Sequence, residues 1–489
     1  MGVLIDKRRF TEGEIYKIIF VDHNSCAFEM VRDKELCRLK FQDGESLIDK
    51  LCEAFINSND YKLYYRRLVF DVLTRGYGHN NKFMYDIIHK LNVACTSEKN
   101  ESNKRDISCL INILNTYKNR INGYQISDSQ KKIMNFFSIS DIFPRNLEKV
   151  SRESYPNNVS RVSDKIITID SRKSTDFNSF VVYEDAFSIR ENSQGYLLSI
   201  FISDVASYIM NCPNLYQTAL QRAESIYLKK DVHNIHMFPD YIRKMCSLSS
   251  LSTKYAVGHF FQFSPDFELI DSRISAVKVK VSKNYTYDQV DMIIHGKKKA
   301  LDKKDEDIHE MINLLLEITK KLESQFNLGY HSFKEKVYGK ENSYSQAAHI
   351  TEVLSLFLNS YIAQSMYERW LPCIYKNNIS DLTIGLLNSS YYSLYPQGHV
   401  GNNGNPYCQV TKPIRDFASL LNQYFELVFL VNRVYDSEII KEWLAILINI
   451  IPELNTRVSL NAEYRDIIET IGSASIINRD KGIRKRLTR

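Results

Sequence analysis

The sequence predicts an α+β fold for most of the chain, because short apolar strands are followed by long amphipathic helices. Residues 166–169 form an apolar, β-branched run between polar residues, which is typical of a short buried strand. Residues 180–183 and 197–202 have the same character and are predicted to form the next two strands. Apolar residues at helical spacing predict three later helices, over residues 305–324, 346–367 and 415–431, the last one after Pro413.

Acidic residues lie at the ends of these predicted strands. Asp170 ends the first strand, Asp176 follows in a short loop, and Asp204 ends the third strand. Carboxylate oxygens at converging strand ends suit magnesium. The alternative is that each Asp serves a turn, where it forms local hydrogen bonds. Glu184 and Asp185 come after the second predicted strand, so we expect them at its far end, away from the other carboxylates.

The N-terminal third is predicted to be mixed and largely helical. Residues 15–20 and 27–31 alternate like a β-hairpin, and helical spacing begins near residue 46. The aromatic and basic segment at 61–67, YKLYYRR, suits either single-stranded nucleic acid or the face of an amphipathic helix. Polar residues 96–106 and 151–163 are interpreted as a loop and a linker, with helices near 109–117 and 129–137 between them.

These patterns divide the chain into four predicted units. They are a mixed β/helical domain over residues 1–95, a helical linker region over 96–163, a main domain over 164–477 and a basic tail over 478–489. The whole chain has a net charge of +6, and its tail has six basic residues against one acidic residue. Such a tail is either a solvated end or a nucleic-acid contact.

Composition excludes several classes of protein. A hydrophobic fraction of 44% with 25% charged residues is that of a globular protein. No apolar run reaches the roughly 18 residues that span a bilayer, and the N-terminus has no apolar signal region. Nine cysteines occur without a CxxC pair, which favours reduced thiols. We therefore expect an intracellular protein, in the cytoplasm or an organelle matrix, with no membrane contact.

Five motifs in order resemble the ribonuclease II/R type (RNB-domain) 3′→5′ exoribonucleases. They are IDSRKSTDFNS, FISDVASYI, RAESIYLKKDVHNIHMFPDYIRKMCSLSS, AAHITEVLSLFLNSYIAQSM and YYSLYPQGHVGNNGNPYCQVTKPIRDFASLLNQ. The resemblance implies a mixed β-sheet wrapped by helices around a central RNA channel, single-stranded RNA as the partner, and Mg²⁺ as the cofactor. The family's small β-barrels have no counterpart in the helical N-terminal region or after the main domain.

The resemblance also implies a reduced metal site. The family motif supplies four Asp, and the matching positions here are Asp170, Asp176, Asn178 and Ser179. A unit-charge pair at about 4 Å is worth at most roughly 4 kcal/mol at an effective dielectric of about 20. Losing two carboxylates therefore leaves at best one weakly held ion. Catalytic roles fall on Asp170, Asp176 and Arg415, with Asn178 as a neutral third metal ligand.

Other matches imply contacts to RNA. Arg415 in TKPIR matches an arginine on the phosphate, and Tyr227 in SIYL matches an aromatic residue on the terminal base. Phe333 is a second stacking candidate, and Glu352 and Glu463 are candidates for the ribose hydroxyls. The family usually has a serine at the position of Lys412 and a basic residue at the position of Asp416. The positive charge of Lys412 partly replaces the one that is missing at Asp416.

Three functions follow from these observations. The first is a pseudo-nuclease that holds RNA 3′ ends with weakened or lost hydrolysis. The second is an active magnesium-dependent exoribonuclease that releases nucleoside 5′-monophosphates. The third is a structural or adaptor subunit that contacts a protein partner through the N-terminal region. Lost carboxylates favour the first and third, and the retained Asp170, Asp176, Arg415 and Tyr227 favour the first and second.

Overall fold

The structure is a computed structural model that describes most of the chain. It covers residues 16–22, 27–32, 35–40, helical positions between 52 and 73, 81–121, 133–150, 159–171, 180–228, 234–297, 300, 302–326, 328, 345–378, 390–399 and 402–487. For the strands before residue 41 and the helix beyond residue 471, only the backbone is described. Asp176, Asn178, Ser179 and Phe333 lie outside the described residues.

A seven-stranded mixed sheet organises the main domain, in the order β10-β5-β6-β7-β8-β9-β4. The strands from β5 to β9 form consecutive antiparallel pairs, whereas β10 on β5 and β4 on β9 are parallel. This sheet confirms the predicted α+β class. Its strands are β4 (Ser160–Arg161), β5 (Ile167–Asp170), β6 (Asp185–Asn192), β7 (Gly195–Ser203), β8 (Lys254–Phe263), β9 (Leu269–Val279) and β10 (Lys283–Thr286).

The second strand does not lie where the sequence predicted it. Residues 180–183 precede the sheet, and β6 begins at Asp185. The reason is the tight β6–β7 hairpin, in which Asn192 pairs with Gly195 and Asp185 pairs with Ile202. The apolar residues 180–183 therefore come before the first residue of β6 that pairs with β7. The predicted strands at 166–169 and 197–202 match β5 and β7 closely.

Alternating side chains put most of the sheet's apolar surface on one face. Phe187, Ile189, Leu198 and Ile200 face the main core, whereas Phe201 belongs to a smaller cluster on the other face, as the two-residue period of a strand requires. Helices cover the main face. They include α3 (Ala206–Ile209), α4 (Pro213–Arg222), α5 (Asp240–Cys246), α6 (Tyr287–Ile294), α7 (Lys303–Gln325), α8 (Gln346–Glu368) and α9 (Phe417–Phe425).

The predicted helices at 305–324 and 346–367 correspond to α7 and α8. The one predicted over 415–431 begins later, because Asp416 accepts a hydrogen bond from the Ser419 amide and caps α9. The helix then continues as a π-helix over Glu426–Val431. A short hairpin of β11 (Tyr375–Asn377) and β12 (Tyr391–Ser393) completes the main domain.

The N-terminal region has its own sheet and helices. Strands β1 (Tyr16–Asp22), β2 (Ala27–Arg32) and β3 (Glu35–Lys40) form an antiparallel sheet that includes the predicted hairpin. The predicted loop at 96–106 is wrong. Helix α1 (Asn81–Ser97) and helix α2 (Glu101–Ile121) leave only three residues between them, and Asn100 caps α2 through the Ser102 amide. The polar residues from Glu101 onward form the exposed first turn of α2.

One long helix, α10 (Ser437–Leu487), joins the two cores. Leu447 and Leu454 pack in the main core, and Tyr464 and Ile468 pack among the N-terminal helices. The residues predicted to form a separate basic tail continue this helix, while the four-unit division itself stays a prediction. Among the described residues, no helix combines the length and apolar character needed to cross a membrane.

A buried ion pair fixes the contact between α10 and the N-terminal helices. Arg66 is 1% exposed, and its Nε and Nη2 donate to the two carboxylate oxygens of Glu463 at 2.9 and 2.7 Å. Its guanidinium also lies over the rings of Phe136 and Phe137. Arg66, in the segment considered for nucleic-acid binding, is therefore part of the core.

We expect Glu463→Ala to destabilise the protein by about 3 kcal/mol, because it leaves the buried Arg66 charge with only a longer contact to Asp106, at 3.7 Å. Urea denaturation followed by circular dichroism measures this loss. The matched control is Glu453→Ala, an exposed position of the same helix, which we expect to change stability by less than about 0.5 kcal/mol. Equal stability of the two variants would contradict a structural role for the pair.

Candidate active site

The end of β5 and the start of β6 lie side by side at one edge of the sheet. Because the strands are antiparallel and Ile167 pairs with Phe187, the register puts Asp170 opposite Glu184, next to Asp185. The expectation that Glu184 and Asp185 lie at the far end of their strand was therefore wrong. The sheet brings three carboxylates to one edge.

Glu184 forms a hydrogen bond and an ion pair with the loop that carries Arg415. Its Oε1 accepts a hydrogen bond from the Ile414 amide at 2.7 Å, and its Oε2 lies 2.5 Å from Arg415 Nε. The Glu184 side chain is 3% exposed, but that of Arg415 is 40% exposed. Burial opposes the charge on Arg415, yet Glu184 outweighs it and keeps the pKa of Arg415 above its ordinary value. The guanidinium is thus held in place and open to a ligand.

In the described part of this edge, Asp170 and Asp185 are the two carboxylates that form no ion pair. Burial, followed by the negative charge of Asp170, raises the pKa of Asp185 to about 7. Burial also raises the pKa of Asp170. The negative charge of Asp170 acts on Asp185, so a positive charge near both carboxylates would relieve their repulsion. Among the described residues, no three acidic, His or Cys side chains are arranged to hold a metal.

Two other acidic residues have local structural roles. Asp204 is fully buried, and its two oxygens accept from the amide and hydroxyl of Ser207 at 3.0 and 2.8 Å. Asp416 caps α9 and accepts from the Tyr392 hydroxyl at 3.2 Å. Asp204 therefore accepts local hydrogen bonds, which was the alternative to its being a magnesium ligand.

Tyr227 is placed beside Arg415 by backbone pairing. The Ser225 amide donates to the Arg415 carbonyl at 2.8 Å, and Ile226 exchanges backbone hydrogen bonds with Ile235. Burial raises the pKa of the Tyr227 hydroxyl, and the nearby charge of Arg415 acts in the opposite direction. Tyr227 is 45% exposed, so its ring is available to a ligand next to the arginine.

Glu352 approaches the same edge from α8. Tyr287 follows β10, and its hydroxyl lies 3.2 Å from Thr351 Oγ1. The charges of Asp170, Asp185 and Glu352 all contribute to raising the pKa of Tyr287, after the effect of burial. Tyr287 therefore links the predicted ribose contact to the carboxylate edge.

Lys412 adds a second cation. Burial, followed by repulsion from Arg415 and Lys376, lowers the pKa of Lys412 to about 8. No hydrogen bond or ion pair joins its ammonium group to another described residue. The lysine thus offers a positive charge that the family pattern, with serine here, does not have.

Not every predicted site residue joins this group. The carboxylate of Glu463 is bound to Arg66, so its predicted ribose contact would require that buried pair to open. Asp176, Asn178 and Phe333 lie outside the described residues, and their roles stay predictions. The sequence interpretation missed Asp185 and Tyr287. Counting back along the hairpin from its turn at residues 193–194 would have placed Asp185 opposite Ile202.

Comparisons with known proteins find similar sequences over the main domain. A family model described as the RNB domain matches residues 160–378. Ribonuclease R of Chlamydia muridarum is 28% identical over 244 residues, which are 46% of this chain and 34% of that protein. The matched segment thus spans about a third of that relative's length.

Solved structures show the same fold at low sequence identity. Mycoplasma genitalium RNase R in complex with ribose-methylated single-stranded RNA has a TM-score of 0.56 and 16% identity, covering 75% of this chain and 64% of that chain. Yeast Ssd1, described as a pseudonuclease, has a TM-score of 0.55 and 12% identity, covering 70% and 50%.

The sheet, its helical cover and the sequence match across residues 160–378 lead to one assignment. The main domain of this chain is similar in sequence and in fold to the RNB domain found in ribonuclease R proteins.

Proposed function

We propose that this protein binds the 3′ end of single-stranded RNA and hydrolyses it weakly or not at all. The observation that supports the proposal is the ionic pairing of the three carboxylates at the end of β5 and the start of β6, which are those of Asp170, Glu184 and Asp185. Glu184 is neutralised by Arg415, and the pKa of Asp185 is raised to about 7. Because Glu184 is paired with Arg415, only Asp170 and Asp185 remain for a cation in the described part of this edge, while Arg415 and Tyr227 remain accessible.

The groups proposed to bind RNA have complementary chemistry. The guanidinium of Arg415, held by Glu184 and 40% exposed, suits a bidentate contact to a phosphodiester. The ring of Tyr227 suits stacking on the terminal base, which does not depend on base identity. Glu352 suits the ribose 2′-hydroxyl, the group that separates RNA from DNA. Lys412 adds a charge beside the phosphate.

Asp170 and Asp185 fit one divalent cation as carboxylate ligands, with Asp176 as a third candidate from the loop. A bound cation would supply charge stabilisation at the phosphoryl oxygens and lower the pKa of a water. In the alternative function, an active exoribonuclease, a water oxygen bonds to the terminal phosphorus and the P–O3′ bond breaks. The upstream 3′ oxygen takes a proton, and a nucleoside 5′-monophosphate leaves. Asp185 favours this alternative, because it restores one of the carboxylates missing at Asn178 and Ser179.

The relatives are compatible with both functions. A solved RNase R of this fold was obtained with single-stranded RNA, and a protein of the same fold is described as a pseudonuclease. An adaptor function remains a third candidate, and its N-terminal protein partner stays a prediction.

Purified protein with labelled single-stranded RNA and Mg²⁺ or Mn²⁺ should release little or no mononucleotide over hours. The double substitution Asn178→Asp with Ser179→Asp should raise cleavage, because it adds charge to the metal site. Gel analysis of the products measures both. Robust laddering by the unmodified chain that disappears in both Asp176→Ala and Asp185→Asn would establish the active enzyme instead.

Replacing Tyr227 should weaken RNA binding without affecting the fold. Tyr227→Ala removes one base stack, worth about 1–3 kcal/mol, so the Kd for single-stranded RNA in chelator should rise about 5- to 150-fold. Fluorescence anisotropy measures the Kd. Tyr227→Phe should retain binding, and Tyr435→Ala, at another exposed tyrosine, is the matched control. A Kd that is unchanged in Tyr227→Ala would remove this residue from the site.

RNA binding should weaken as the pH rises through about 8 to 9.5. Lys412 is charged below its lowered pKa of about 8 and loses its proton above it, so its contact with phosphate is present at neutral pH and is lost in base. Bound phosphate shifts this loss to higher pH. Lys412→Arg should bind RNA equally at pH 7 and pH 9.5, because arginine keeps its charge. The same pH dependence in Lys412→Arg and the unmodified chain would assign it to another group.

A further inference from the structure

One edge of the main sheet is open among the described residues. Strand β9 pairs with β8 along its length, but on its outer side it meets only β4, at Val277 and Lys278. Within the described ranges, no strand lies beside Leu269–Ala276 on that side. Such an edge presents a row of backbone donors and acceptors with which another extended chain can pair.

Two opposite charges lie close together on this edge. Asp271 and Arg273 are both exposed. They pair with Gln262 and Phe260 of β8, so they lie on the face of the sheet away from the main core. The guanidinium carbon of Arg273 is 4.4 Å from the ring centroid of Phe260. Neither charged group forms an ion pair with a described residue.

Strand geometry limits how a second copy of β9 can pair with this edge. In an antiparallel pair, directly opposite side chains lie on the same face, and a two-fold axis perpendicular to the sheet relates two identical strands. The axis therefore passes beside one residue, which lies opposite its own copy. With the axis at Asp271 or at Arg273, like charges lie directly opposite each other, which is destabilising.

With the axis at Ser272, the charges are complementary. Asp271 then lies opposite Arg273 of the second copy, and the same contact repeats across the axis, so two ion pairs form. This axis also lies near the middle of the open edge, where the seven residues from Leu269 to Ser275 are available for pairing. Charges on an edge strand usually prevent association between chains. Here they disfavour the two neighbouring registers and favour this one.

An apolar side chain lies beside the charges. The pairing of β9 with β8 has a bulge between Leu269 and Asp271, and the extra residue, Ile270, is 57% exposed. In the register centred on Ser272, Ile270 comes next to Ile274 of the second copy. Pairing of the two strands therefore also removes apolar surface from water.

We propose that two copies of this chain form a dimer by antiparallel pairing of their β9 strands, with a two-fold axis at Ser272. Their seven-stranded sheets then form one continuous sheet. The dimer does not depend on the proposed RNA binding, because β9 lies four strands from β5, a distance of about 19 Å at about 4.8 Å per strand. The candidate active site of each copy therefore stays open.

Sedimentation velocity of the full chain is the first test. The fraction of dimer should rise between about 1 and 100 µM protein, because a short interface of this kind binds weakly. Arg273→Asp and Asp271→Arg each turn both ion pairs into repulsive pairs, so each should raise the Kd of the dimer at least about ten-fold. The control is Glu453→Arg, at an exposed position of α10, which should dimerise normally.

A mixture of the two variants is the sharper test. In a mixed dimer, the two acidic residues of one variant lie opposite the two basic residues of the other, so the mixture should associate as strongly as the unmodified chain. The double variant Asp271→Arg with Arg273→Asp exchanges the two charges and should dimerise again. A misfolded variant would not regain association in either way.

Cross-linking tests the position of the axis. Ser272→Cys brings two thiols across the axis with their Cα atoms about 4.5–5.5 Å apart, which is within the range of a disulfide. Oxidised glutathione accepts the two hydrogens and is reduced to two thiols, and this variant should give a covalent dimer on a non-reducing gel. Ser275→Cys is the matched control, because its two copies lie about 20 Å apart along the strands and should not cross-link.

A chain that stays monomeric at about 100 µM would overturn the proposal. Single charge variants that dimerise as well as the unmodified chain would do the same, as would a mixture of them that does not associate or equal cross-linking of Ser272→Cys and Ser275→Cys. The proposed function fails separately, because a dimer that binds no RNA leaves this interface assigned. Conversely, Arg273→Asp should lose the dimer and bind RNA with an unchanged Kd.

Discussion

The ion pair between Glu184 and Arg415 is the constraint on which the candidate site depends. It joins the edge of the sheet to the loop before α9, and the Ile414 amide completes the carboxylate's hydrogen bonding. A buried carboxylate is tolerated only with such partners. The same contact decides two properties at once. It holds a guanidinium that is 40% exposed in a fixed position, and it removes one carboxylate from the set that could hold a cation.

The site therefore combines an exposed tyrosine and a half-exposed arginine with two carboxylates that form no ion pair among the described residues. Tyr227 and Arg415 are fixed by backbone pairing between their two segments, which is independent of any metal. Asp170 and Asp185 are instead placed by strand register, and their charge depends on a bound cation. The groups proposed to bind RNA and the groups proposed to hold a cation thus depend on different structural features. Lys412 and Asp416, which depart from the family motif, change the charge beside Arg415, and α9 still begins with a cap because Asp416 accepts from the Ser419 amide.

Much of the main domain was predictable from local patterns. The β-branched run before Asp170 and the helical spacing of residues 305–324 and 346–367 gave elements that differ from the structure by only a few residues. The error at 180–183 arose because apolar, β-like residues were taken as a strand without counting the hairpin register. That error moved Asp185 away from Asp170. The α1–α2 turn was missed because an exposed first helical turn has the composition of a loop.

Long-range contacts had no local signal. Arg66 and Glu463 are 397 residues apart, and nothing in either segment identifies the other. The long helix that carries Glu463 has consequences for how the protein forms. At about 5–20 residues per second, the ribosome needs roughly 20–80 seconds to make the chain between these two residues. During that interval the N-terminal helices lack Tyr464 and Ile468, so their apolar surfaces stay open to chaperones until these two residues have been made.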